Sequence, residues 1–106
     1  MQSAIEIVTF KLRQGITEQD LVAASEQSQA FVANLPGFQY RSLSYEIERN
    51  LWNDVIYWDS MEEAKQASKQ FAANEQCQAL IALIDRDSVD IQHQHIKMCD
   101  LAKKYR

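Results

Sequence analysis

Residues 52–63, WNDVIYWDSMEE, carry a strand directly into a helix. Trp52, Asp54, Ile56 and Trp58 fall on one side of an extended chain, and Asn53, Val55 and Tyr57 on the other, because successive strand side chains point to opposite faces. Ser60 followed by Glu63 forms a capping box, in which the serine oxygen accepts a backbone N–H three residues on. Ala64, Ala67, Ser68, Phe71 and Ala72 then recur at helical spacing as far as Asn74, a residue suited to end a helix. A second short helix is expected over Glu75 to Ile84, with Cys77, Leu80, Ile81 and Ile84 on one stripe.

Upstream, Phe38 to Glu48 alternates as well, with Phe38, Tyr40, Ser42 and Ser44 opposite Leu43, Tyr45 and Ile47. Arg49-Asn50-Leu51 is a hairpin connection, so these two strands are read as antiparallel neighbours. An amphipathic helix is read from Thr17 to about Leu35, on the repeat of Leu21, Ala24, Ser28, Phe31, Val32 and Leu35, with Pro36-Gly37 as its stop. The first strand, AIEIVTFKL at 4–12, points Ile5 and Ile7 one way and Ala4, Val8, Phe10 and Leu12 the other. After turn residues 85–88, Val89 to Met98 is the last strand, with Val89, Ile91, His93 and His95 on one side.

The resulting order predicts an α+β chain of the ferredoxin-like βαββαβ class: a four-stranded antiparallel sheet with its helices on one face. Residues 1–98 are read as one domain and 99–106 as a polar tail. Strands apolar on both sides, with helices enough for one face only, imply that a second copy covers the other. A homodimer through the sheet face follows as an expectation, and a domain of this size gains from such a shared core.

The 106 residues are 46% hydrophobic and 25% charged, with two Gly and one Pro, as in an ordinary folded domain. A formal net charge of −4 with dispersed Lys and Arg offers no basic face, so nucleic-acid binding is not expected. No run approaches the ~18 apolar residues of a membrane span. Cys77 and Cys99 are far apart and make no metal or redox motif. A soluble cytoplasmic protein with reduced thiols is expected. Gly-rich phosphate loops, nucleophile elbows and zinc-protease motifs do not occur.

The stretch from Asn53 to Ala64, with its Trp58 followed by an acidic helix start, resembles the third strand and second helix of the dimeric α+β-barrel superfamily. Within it, the likeness is to antibiotic-biosynthesis-monooxygenase-like domains, and residues 77–85 and 89–93 resemble the short helix and last strand of uncharacterised members. The resemblance spans about residues 3 to 98. It implies a dimeric barrel and a monooxygenase-like activity on a small aromatic or quinol-type compound, with no bound cofactor. Several oxygenases of the group place an Asn on the first strand together with a Trp and a His. AIEIVTFKL has no Asn, which argues against a haem-degrading role and takes away one of the parts expected for cofactor-free oxygenation.

Chemistry is sought on the sheet. His93 and His95, two apart on one strand face, offer a general base or ligand contact. With Asp54 or Asp59 they also offer an alternative metal site, although no metal is assigned. Trp58 and His93 are the catalytic candidates. Trp52 and Trp58 would line an aromatic pocket, and Tyr40, Tyr57, Asn53, Asp54 and His95 are substrate-binding candidates. For each there is a plainer reading. The tryptophans pack against Phe31 and Phe71, the tyrosines have an apolar body and a wet tip, and Asp54 pairs with Arg41. A non-catalytic dimer that binds a small hydrophobic molecule, or serves assembly, is the alternative to the enzyme.

Overall fold

The computed structural model describes residues 3–100; residues 101–106, most of the expected tail, lie outside them. Four strands, β1 (Ala4–Phe10), β2 (Phe38–Glu46), β3 (Leu51–Trp58) and β4 (Asp90–His95), form one sheet in the order β2-β3-β1-β4. All neighbours are antiparallel. Between them run α1 (Glu18–Val32), α2 (Met61–Ala73) and α3 (Glu75–Ile81). This is the expected α+β ferredoxin-like arrangement, with β1 and β3 in the centre.

All three helices pack on one sheet face. Ala4, Ile56 and Trp58 meet Val32 of α1 and Ala64 and Ala67 of α2. Further along the same face, Phe10 and Trp52 meet Leu21 and Ala24 of α1 and Leu80 of α3. Full burial of a side chain such as Phe10 stabilises the fold by about 1.5–3 kcal/mol. The opposite face presents Ile5, Ile7, Val55 and Tyr57, all partly exposed, with Tyr40 46% exposed beside them.

The helix caps follow the sequence closely. Thr17 and Asp20 form the complete box at α1, and Ser60 accepts from the Glu63 N–H at α2. Asn74 ends α2 and also starts α3, its Oδ1 accepting from the N–H groups of Gln76 and Cys77 at 3.0 and 3.2 Å.

Several boundaries differ from the expected ones, and the β2 register is irregular. α1 ends at Val32 because Pro36 disfavours helical backbone at Leu35, and tight bonds such as Leu35 N–H to Val32 O carry the turn instead. α3 stops at Ile81, after which Ile84 bridges to Leu12 as an extension beyond β1. β4 is shorter than Val89 to Met98, since its pairing strand begins at Ala4 and the last bond runs from Ile96 N–H to Ser3 O. An irregularity between Phe38 and Tyr40 shifts the β2 register. It turns Phe38 edge-on to Trp58, centroids 5.9 Å apart, while Tyr40 meets Tyr57 on the open face at 6.0 Å.

Candidate active site

A cavity of about 240 Å³ lies between the sheet and the helices. Strand alternation supplies its floor: Glu6, Val8 and Phe10 from β1, and Asp54, Ile56 and Trp58 from β3. Phe71 and Ser68 of α2 and Leu80 of α3 close the opposite side. Ile81, Arg86, Val89 and Ile91, all exposed, lie at its rim. An engineered apolar cavity of ~150 Å³ accepts benzene, so this one has room for a larger planar body of two or three rings.

Besides Ser68 and the rim residue Arg86, three polar groups interrupt the apolar wall. Asp54 is held by Arg41 from β2 through two bonds, Nε to Oδ1 at 3.0 Å and Nη2 to Oδ2 at 2.7 Å. Arg41 Nη1 donates in turn to Ser28 Oγ and Gln29 Oε1 of α1, and its guanidinium lies 5.9 Å from the Phe71 ring centroid. Glu6 Oε2 lies 2.9 Å from His93 Nε2 on the adjacent strand β4. Burial pushes the Glu6 carboxyl above the ordinary glutamate value, although the His93 contact and the Ser68 hydroxyl oppose it. The third group is the indole of Trp58, 1% exposed. Its Nε1–H has no hydrogen-bond partner among the described residues.

The candidates divide between two faces. Trp58 and Asp54 line the cavity. His93 does not, and reaches it only through Glu6. Trp52 shares their face but packs away from the cavity against Tyr45, centroids 4.6 Å apart. His95 is exposed at the end of β4. Tyr57, Tyr40 and Asn53 project from the open face, where Asn53 Oδ1 accepts from Thr9 Oγ1 at 2.9 Å. Among the described residues no three His, Cys, Asp or Glu side chains come together as a metal cluster, so the paired histidines lack the third ligand their spacing called for.

Glu6 is the site residue that the pattern of AIEIVTFKL concealed. Its signal was phase: the one carboxylate of β1 stands in step with Ala4, Val8 and Phe10, the residues that turn inward.

No family model matches the sequence, and no curated protein matches it in sequence. Solved structures do match in shape. SnoaB, a cofactor-independent oxygenase from Streptomyces nogalater, superposes with a TM-score of 0.75 at 17% identity, over 94% of this chain and 98% of its own. The ActVA-Orf6 monooxygenase of Streptomyces coelicolor, in complex with nanaomycin D, gives 0.71 at 18% identity, over 92% and 90%. A dimeric ferredoxin-like protein from Jannaschia gives 0.67 at 13% identity, over 89% and 99%. The chain shares its α+β ferredoxin-like fold with these monooxygenases and with the dimeric ferredoxin-like protein. At such identities the likeness concerns the fold, and the chemistry has to be argued from the cavity.

No helix among the described residues is long and apolar enough to cross a membrane.

Proposed function

We propose that the protein is a monooxygenase-like enzyme acting without a bound cofactor on a small planar aromatic ketone or quinol. The observation that carries this reading is an apolar cavity of about 240 Å³ walled by Phe10, Trp58 and Phe71, with the Glu6 carboxyl in its floor. The Trp58 Nε1–H is closed to water and has no partner among the described residues. Such a donor costs about 1–3 kcal/mol, a cost that a ligand carbonyl would remove if the indole turned toward the cavity. The apolar walls would hold the ring system by dispersion and exclude water. In such chemistry the deprotonated ligand supplies the electrons to dioxygen; one oxygen atom enters the ligand and the other leaves as water. The oxygenase and the ligand-bound monooxygenase that share this fold support the class of substrate.

The working unit in this reading is a homodimer. Ile5, Ile7, Val55, Tyr57 and Tyr40 give the open sheet face the apolar character of a surface to be covered, and a second copy of the chain is the occupant that the dimeric neighbour of the same fold favours. The cytoplasm is its proposed setting, where Cys77 and Cys99 would remain thiols.

Oxygen uptake with a panel of anthrones and quinols tests the enzyme. Turnover of one of them, lost in Trp58→Ala, is expected; no uptake with any of them sinks the reading. A second reading, a non-catalytic binding module, draws on the fact that both cavity carboxylates already have protein partners. A ligand-induced rise in melting temperature without oxygen uptake would favour it.

A further inference from the structure

Glu6 and His93 together connect the cavity with the outside. Glu6 is in the cavity wall, 7% exposed. His93 is outside the wall on β4, an edge strand, with a side chain 20% exposed. Their bond, Oε2 to Nε2 at 2.9 Å, uses one carboxylate oxygen and leaves Oε1 as an acceptor. Asp54 offers no such vacancy of role, because Arg41 engages both of its oxygens. We propose that Glu6 is the base that takes a proton from a ligand in the cavity, and that His93 passes a proton to solvent at the β4 edge.

The ligand class this dyad fits is an aromatic ketone or phenol with an acidic C–H or O–H. That bond breaks heterolytically, and its electron pair stays on the ligand as an enolate or phenolate. At rest one proton lies between Oε2 of Glu6 and Nε2 of His93. As Oε1 takes the ligand proton, the proton on Oε2 passes to Nε2, and the imidazolium gives its Nδ1 proton to water. Exchange of the ring protons with solvent restores the starting dyad. The groups facing Glu6 are His93 from β4, Ser68 from α2 and Asp54 from β3. Burial outweighs the lowering influences of His93 and Ser68 and raises the carboxyl, which favours keeping a proton within the dyad for Oε2 to pass on.

This inference rests on the cavity being a ligand site, but it can fail separately from the oxygenase reading. The experiment is hydrogen–deuterium exchange at the methylene of anthrone under anaerobic conditions in D2O, followed by NMR, with oxygen uptake measured in parallel. The wild-type protein should accelerate exchange over buffer. Glu6→Gln keeps an amide to bond His93 and should slow the catalysed exchange by about 10²–10⁴-fold, with a melting temperature close to wild type. His93→Ala should be slow in dilute buffer and regain rate when imidazole is added, which a merely structural histidine would not do. Exchange no faster than in buffer overturns the inference, as does a wild-type rate in Glu6→Gln or a His93→Ala variant that imidazole leaves unchanged. Glu6-dependent exchange without oxygen uptake removes the oxygenase reading alone. Undiminished uptake in Glu6→Gln removes this inference alone.

Discussion

Arg41 of β2 clamps Asp54 of β3 side-on, two nitrogens to two oxygens, with both side chains no more than 10% exposed. Such a pair is costly to desolvate, and breaking it is costlier still, because the partner left behind is a buried charge without a counter-ion. Arg41→Ala should therefore destabilise the protein by about 3–5 kcal/mol, read from urea unfolding. Replacing both residues together, as Arg41→Met with Asp54→Leu, should cost less than the single change. A double variant as unstable as Arg41→Ala would show that the Arg41 contacts to Ser28 and Gln29, and not the ion pair, dominate.

The raised Glu6 carboxyl has a consequence for stability. Above the ordinary value of 4.5 the unfolded chain has lost this proton while the folded chain still holds it. Folding is then favoured most at low pH, and the contribution disappears as pH rises through the folded value. Glu6→Gln cannot titrate, so its melting temperature relative to wild type should rise between pH 4 and pH 7. The difference is the quantity to follow, since Asp20 and Glu46, lowered by the Thr17 cap and by Arg49, bend the wild-type curve the other way. A difference that is flat with pH would show that Glu6 titrates alike in both states.

Strand alternation and the cap at Ser60 made the element order readable, and with it the sheet and its single layer of helices. The Asp54 pairing with Arg41 was legible for the same reason: a carboxylate in step with Trp52, Ile56 and Trp58 must have a partner, and the adjacent strand supplies one. What stayed hidden depended on local irregularity or on strand order. The register shift between Phe38 and Tyr40 separates two aromatics that simple alternation places together. Glu6 meets His93 only because β4 lies beside β1, eighty-seven residues away along the chain. Period-2 reading puts Tyr57 and Trp58 on opposite faces, but nothing in the pattern says which face will hold a cavity.

The open sheet face gives a test of assembly. Val55 sits on central strand β3 and is partly exposed there. Val55→Lys places a charge in the middle of the proposed interface, where it would be desolvated without a partner. The variant should sediment as a monomer at concentrations where wild type is a dimer, and it should melt lower. The wild-type melting temperature should also rise with protein concentration, as mass action requires for a dimer. Wild type that sediments as a monomer, with a concentration-independent melting temperature, would refute the shared sheet.

Trp58→Phe removes one of the two buried side-chain groups, the other being the Ser25 hydroxyl, that have no partner among the described residues. Removal of the indole N–H relieves a desolvation cost of about 1–3 kcal/mol, while the smaller ring leaves a void that costs a comparable amount. These effects oppose each other, so the melting temperature should change little. Binding should change selectively. Anthrone carries a carbonyl that can accept from Nε1 once the indole turns toward it, and loss of one such bond, worth about 0.5–1.5 kcal/mol net, should weaken its binding by about 2–10-fold. Dihydroanthracene has nearly the same outline and no acceptor, so its affinity should move only with the change in packing. Calorimetric titration of both ligands into both proteins gives the comparison. Equal losses for the two ligands would mean that Trp58 serves the cavity as a wall and not as a hydrogen-bond donor.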